Sequence, residues 1–195
     1  TAVVLLTACS SAGQNTTQEK QARVDDLREK VVQARVVGAT ANMYLVSPAK
    51  TVSAGQTFKV TVMLTNEDNR NIEAVRVYIS YDPDKLKFKD MNFDDSDFSL
   101  PLATENNEKQ NIIRIGRGTE KDNRSDLIKV GTLEFEAVNL SEEAVATVDI
   151  IGYQPNTDSL TTANTVIDGQ VYNILREPVN PAIKMAITPK VEQPF

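Results

Sequence analysis

Between Gln56 and Met91 the chain reads QTFKVTVMLTNEDNRNIEAVRVYISYDPDKLKFKDM, three segments in a row in which apolar and polar residues alternate. Phe58, Val60, Val62 and Leu64 alternate with Lys59, Thr61, Met63 and Thr65; after a polar loop, Val75, Val77, Ile79 and Tyr81 alternate with Arg76, Tyr78 and Ser80. A period of two sends successive side chains to opposite sides of an extended strand, so each segment has one buried face and one wet face. Asp82-Pro83-Asp84-Lys85 lies between the second and third segments. Asp at the first turn position and Pro fixing φ at the next form a type I signature. Leu86 and Phe88 then resume the alternation among Lys85, Lys87 and Lys89.

Two absences narrow the chemistry. None of the 195 residues is a histidine, which removes the commonest general base, the Ser-His-Asp arrangement and most zinc sites. A single cysteine, Cys9, allows neither an intramolecular disulfide nor a thiolate cluster. An enzyme would have to run on carboxylates, lysine or tyrosine alone, and no catalytic set stands out. The net charge of −6 argues against nucleic acid, whose phosphates demand a basic face.

The first residues, TAVVLLTACSS, read as the end of a longer apolar segment. Leu6-Thr7-Ala8-Cys9 resembles the bacterial lipobox, and the stretch over residues 1–8 resembles the end of a lipoprotein signal peptide. That resemblance implies that Cys9 becomes the first mature residue and carries a diacylglycerol. Two or more acyl chains, at about 0.8 kcal/mol per buried CH₂, would tether the protein to a membrane on its extracytoplasmic side without spanning it. The competing reading is a buried N-terminal strand with an inert cysteine. Residues 9–17 are small and polar, a flexible tether. Residues 18–37 contain no Gly or Pro, and Val24, Leu27, Val31 and Ala34 fall at three-four spacing, which predicts an amphipathic spacer helix.

Beyond the helix, ANMYLV at Ala41–Val46 predicts a first strand. The acidic interval after Met91 predicts a long loop with room for one short strand. NIIRIG at Asn111–Gly116, Leu127–Val138, ATVDII at Ala146–Ile151, Thr165–Ile167 and Gln170–Ile174 predict the rest. Along Leu127–Val138, Leu133, Phe135 and Ala137 point one way and Thr132, Glu134 and Glu136 the other. Short strands at this spacing predict an all-β antiparallel sandwich.

The order GQTFKVTVMLTN, IEAVRVYISYDPDKLKFKDM, IIRIGRG, LIKVGTLEFEAV and ATVDII resembles the cohesin domain, over roughly Ala41 to Leu175. Its most specific piece is the strand ending Ser80-Tyr81-Asp82-Pro83 with Leu86 after it. The resemblance implies a jelly roll of about nine strands that binds dockerin modules through one sheet face in multi-protein assemblies, often at the cell surface. It places Arg76, Tyr78 and Ser80 in the middle of that face, Thr132, Glu134 and Glu136 on a neighbouring strand, and Arg114 on the edge beside it. Arg and Tyr are favoured interface anchors. The competing reading is an ordinary solvated sheet face.

Weaker signals lead nowhere specific. Asp90, Asp94, Asp95 and Asp97 are the densest carboxylate cluster, but their spacing fails the EF-hand pattern, so a solvated acidic loop is expected and neither metal nor cofactor is implied. In the tail over residues 176–195, Ile183, Met185 and Ile187 alternate with Lys184, Ala186 and Thr188 between Pro181 and Pro189. This predicts a strand over Ala182–Thr188 that adds to a sheet edge, in cis or in trans to a neighbouring molecule. Three functions fit: a lipid-anchored envelope protein whose sandwich is a non-catalytic interaction module, a surface-filament subunit that self-associates by strand addition, and a polysaccharide-binding module.

Overall fold

The central alternation forms as strands in the computed structural model, which describes residues 21–23, 35–107, 109–138, 140–154 and 159–190. In chain order the strands are β1 (Arg35–Val46), β2 (Thr51–Ser53), β3 (Thr57–Asn66), β4 (Ala74–Tyr81), β5 (Leu86–Asn92) and β6 (Leu100–Asn107). They continue as β7 (Ile112–Gly118), β8 (Leu127–Ala137), β9 (Ala144–Ile151), β10 (Thr162–Ile167), β11 (Gln170–Leu175) and β12 (Ala182–Thr188).

Pairing divides them into two layers. One runs β5-β8-β3-β1-β11; the other runs β6-β7-β4-β9-β12-β2, and β10 joins them by pairing with both β11 and β4. The inward residues of the two layers form one core, with Val60, Val62, Leu64 and Leu133 from the first layer against Val75, Val77, Ile79, Ile113 and Ile115 from the second. All of these are fully buried, and each large side chain removed from water contributes about 1.5–3 kcal/mol. Phe135 closes one end of the core. Its ring centroid lies 5.9 Å from that of Phe58, 5.8 Å from Phe88 and 5.5 Å, across the layers, from Tyr81.

The turns follow the local sequence. At Asp82-Pro83-Asp84-Lys85, the Asp82 carboxylate accepts from the Asp84 amide at 3.2 Å and the Asp82 carbonyl accepts from the Lys85 and Leu86 amides. Asp168-Gly169 takes φ of +51° and +77°, the paired left-handed geometry that joins β10 to β11 in a two-residue hairpin.

Four expectations change. Among the described residues there are twelve strands rather than about nine, and two pairings, β1–β11 and β12–β2, are parallel within an otherwise antiparallel arrangement. The acidic interval contains a full eight-residue strand, β6. The first strand begins at Arg35, not Ala41, so the end of the expected helix over residues 18–37 is strand. Arg35 and Val36 pair with Tyr172 and Asn173, and the register shifts before Ala41, with Gly38 at φ +47°. These residues lie past Ala34, the last apolar position of the helical stripe, and β-branched Val36 suits the pairing with β11. Residues 21–23 are helical; the remainder of that helix, the tether and Cys9 lie outside the described residues.

The tail strand forms with the bounds its alternation predicts, and it pairs in cis. β12 lies antiparallel to β9 and parallel to β2, with Met185 and Ile187 buried in the core.

Candidate functional site

β4 sits at the middle of its layer, with Val75, Val77 and Ile79 inward and fully buried and Arg76, Tyr78 and Ser80 outward. One edge pairs along its whole length with β7. The other edge is shared: β10 takes Ala74–Arg76 and β9 takes Tyr78–Tyr81. Thr161 bridges the junction, its hydroxyl accepting from the Tyr78 amide at 3.1 Å and donating to the Ile151 carbonyl at 2.5 Å. Cross-strand registers set out the exterior in rows. Glu105 of β6 lies opposite Arg114 of β7, Arg114 opposite Tyr78, and Tyr78 opposite Ile151 of β9; in the next row Ile112, Ser80 and Asp149 follow one another.

Arg114 lies over the Tyr78 ring, its guanidinium carbon 5.9 Å from the centroid, and also reaches the Glu105 carboxylate at 3.5 Å. Tyr78 and Arg114 thus stand side by side, partly exposed, at the centre of a four-stranded face. Arg76 behaves differently. Its Nε donates to the Leu160 carbonyl at 2.6 Å and Nη2 to the Ser159 carbonyl at 3.0 Å, and burial lowers its pKa from the ordinary value. Asp149 faces Ser80 in register; one of its carboxylate oxygens is buried without a hydrogen bond, and burial raises its pKa.

Thr132, Glu134 and Glu136 do not join this face. They stand on β8, which pairs with β3 and β5 in the opposite layer, so their outward side chains leave the other side of the sandwich. There the Thr132 and Thr61 hydroxyls lie 3.4 Å apart, Glu134 is opposite Lys59, and Glu136 accepts from Lys89 at 2.9 Å. The Lys89 ammonium lowers the Glu136 pKa. Alternation shows which residues of a strand face outward but not which layer the strand joins, and the position-by-position resemblance had set β8 beside β4; the pairing puts it in the other layer.

The aspartates after β5 also lie on the β8 side. Asp95 pairs with Lys129, Asp94 accepts from Asn92 at 2.9 Å, and Asp97 accepts the Lys129 amide at 2.6 Å. With Pro48, Lys59, Thr61 and Thr132, the first four of these residues line an open cleft of about 510 Å³. Among the described residues no group of three carboxylate or thiol side chains is placed to hold a metal ion.

A family model described as the cohesin domain matches residues 44–172, more than half of the chain. The chain belongs to the cohesin family. Solved cohesins share the fold at low identity. The seventh ScaB type I cohesin of Pseudobacteroides cellulosolvens is 16% identical with a TM-score of 0.56, over 79% of this chain and 96% of that one. The cohesin module of a Clostridium perfringens family 33 glycoside hydrolase is 12% identical with a TM-score of 0.56, over 78% and 99%. The sixth cohesin of Acetivibrio cellulolyticus scaffoldin B, solved in complex with a dockerin, is 14% identical with a TM-score of 0.53, over 79% and 100%. No curated protein matches the chain.

In this cohesin domain, then, the outward set read from the sequence divides. Arg76, Tyr78, Ser80 and Arg114 come together on one sheet; Thr132, Glu134 and Glu136 go to the other. Glu105, Asp149, Ile151 and Leu160 are on or beside the first face and carried no signal in the sequence, because only the register across β6, β7, β4 and β9 brings them there.

Proposed function

We propose that this cohesin domain is a non-catalytic interaction module that binds a dockerin-like protein through the outer face of β6, β7, β4 and β9. The observation that carries the reading is the row Glu105, Arg114, Tyr78, Ile151: a four-strand surface with an arginine set over a tyrosine at its centre. Pre-oriented Arg and Tyr side chains lose little conformational freedom on binding, which is what makes such residues anchors. Two relatives support the class of partner, since the Acetivibrio cellulolyticus cohesin and one of the Clostridium thermocellum cohesins were solved as complexes with dockerins. The test is calorimetric titration of the domain with calcium-loaded dockerin modules encoded in the same genome. Saturable binding that is lost in Tyr78→Ala supports the reading; no binding to any module overturns it.

The alternatives fare less well on the geometry. Assembly by strand addition needs an unpaired tail strand, whereas β12 is paired on both edges within its own molecule. A sugar-stacking platform needs an open aromatic face, and the Tyr78 face is occupied by Arg114.

The same proposal includes the anchor. Lipidation of Cys9 behind a polar tether would hold the domain on the extracytoplasmic side of the cell envelope, facing outward to its partner. Intact-mass measurement of the membrane-extracted protein is expected to show added acyl mass on a chain beginning at Cys9. A native protein that carries a free Cys9 thiol contradicts the anchor and leaves the interaction reading standing.

A further inference from the structure

At the junction where β9 and β10 share the edge of β4, the connecting segment returns to the sheet as Ser159-Leu160-Thr161. Its flanking residues are buried, Ser159 at 3% and Thr161 at 0% exposure, yet Leu160 between them is 48% exposed. Hydrogen bonds to Gly152 and Gln154 brace the segment. The Leu160 and Thr161 amides both donate to the Gly152 carbonyl, at 2.8 and 3.1 Å. The Ser159 hydroxyl donates to the Thr161 carbonyl at 2.6 Å and accepts from the Gln154 amide. Gly152, at φ +78°, lets the backbone pass so close that a Cβ there would lie 2.9 Å from the Leu160 Cβ.

The remaining brace comes from the face itself. Arg76 is one outward position from Tyr78 on β4, and its guanidinium bonds the carbonyls of both Leu160 and Ser159. An arginine in the middle of a candidate binding face is thus committed to its own chain, and what it holds is a large apolar side chain turned to water. Other large apolar residues are as exposed, Leu127 and Val179 among them, but Leu160 is the one whose backbone is held by a guanidinium from this face, so it is fixed in position where covering it would bury apolar area. Nearby Ile151 and Tyr78, half-buried and opposite one another in register, continue the apolar surface toward the centre of the face.

We propose that Leu160 is the apolar anchor of the partner contact and that Arg76 is the positioning residue that holds it. This deepens the reading of the β6-β7-β4-β9 face and rests on it. The occupant is the same dockerin-like protein, which must offer an apolar socket for Leu160 beside the surface that covers Tyr78. Arg76 acts through Leu160 and makes no contact of its own with the partner.

The experiment titrates calcium-loaded dockerin modules from the same genome into the wild type, Leu160→Ser, Arg76→Gln, the double variant and Tyr78→Ala. Val179→Ser serves as the control, because Val179 is 58% exposed but lies beside β1. Leu160→Ser is expected to lose about tenfold or more in affinity at unchanged melting temperature, while Val179→Ser loses nothing. Arg76→Gln is expected to lose a similar amount, to speed amide exchange at Leu160 and Thr161, and to add nothing in the double variant. Full affinity in Leu160→Ser, with binding lost in Tyr78→Ala, overturns the anchor and leaves the face intact. Additive losses from Arg76→Gln and Leu160→Ser overturn the positioning role. If no dockerin module binds the wild type, both the anchor and the face fail together.

Discussion

The guanidinium of Arg117 stacks on the ring of Phe93, its central carbon 4.4 Å from the centroid, while Nε and Nη2 both donate to the Phe98 carbonyl at 3.1 and 2.8 Å. Arg117 follows Ile113 and Ile115 on the inward side of β7, so alternation turns a charged residue toward the core, where burial lowers its pKa. What it secures is the connection from β5 in one layer to β6 in the other. Phe93 in turn packs over Gly131 so tightly that a Cβ there would meet its ring at 2.6 Å.

Replacing this arginine tests the pinning. Arg117→Lys keeps the charge but loses the planar fork and the stack. Leaving the Phe98 carbonyl short of donors costs about 1–3 kcal/mol, and for a domain of this size each kcal/mol lowers the melting temperature by about 2–4 °C. Thermal denaturation of Arg117→Lys is expected to show that loss. An unchanged melting temperature would mean the connection holds without it.

Neighbouring residues on β4 give the sharpest test of register. Val77 is fully buried and Tyr78 faces outward. Val77→Asp is expected to unfold the domain, because an unpaired buried carboxylate costs several kcal/mol against a total stability of about 5–15. Tyr78→Asp is expected to stay folded, within about a kcal/mol of wild type. Equal thermal shifts for the two would contradict the strand assignment.

Asp149 makes stability depend on pH in a stated direction. Burial raises its carboxyl pKa above the ordinary 3.8, so the folded protein holds that proton more tightly than the unfolded chain. Its contribution is fully present below the ordinary value and is lost as pH rises through the raised one. Asp149→Asn is therefore expected to raise the melting temperature at pH 7 and to leave it nearly unchanged near pH 3. Urea midpoints across that range check the sign, and a stabilisation confined to low pH would contradict it.

Removing β12 distinguishes a structural strand from an appendage. A chain ended after Arg176 loses the buried side chains of Met185 and Ile187, each worth about 1.5–3 kcal/mol, and exposes the edges of β9 and β2. Light scattering beside thermal melting is expected to show a destabilised monomer from a monomeric parent. A stable monomer from an assembling parent would mean that the strand works in trans.

The in-or-out assignment of residues was legible wherever alternation ran long. Val75, Val77 and Ile79, Leu133 and Phe135, and Met185 and Ile187 are buried as their period requires. Arg35–Val37 was misread because a sequence window sees helical spacing and cannot see an open edge on β11. The candidate face was half legible for a similar reason. Tyr78 and Arg114 are outward by local pattern, but their meeting depends on a pairing between strands more than thirty residues apart, and so does the exclusion of Glu134 and Glu136. Arg76 was legible as outward, but its hydrogen-bond partners are backbone carbonyls some eighty residues away that no pattern announces.

The central claim is that the partner lies on the Tyr78 side of the sandwich and not on the Glu134 side. One titration series tests it: calcium-loaded dockerin modules added to wild type, to Tyr78→Ala with Arg114→Ala, and to Glu134→Ala with Glu136→Ala. Loss of binding in the first pair of substitutions with wild-type affinity in the second is the predicted result. Wild-type affinity in the first pair and loss in the second would contradict the account and move the interface to β8.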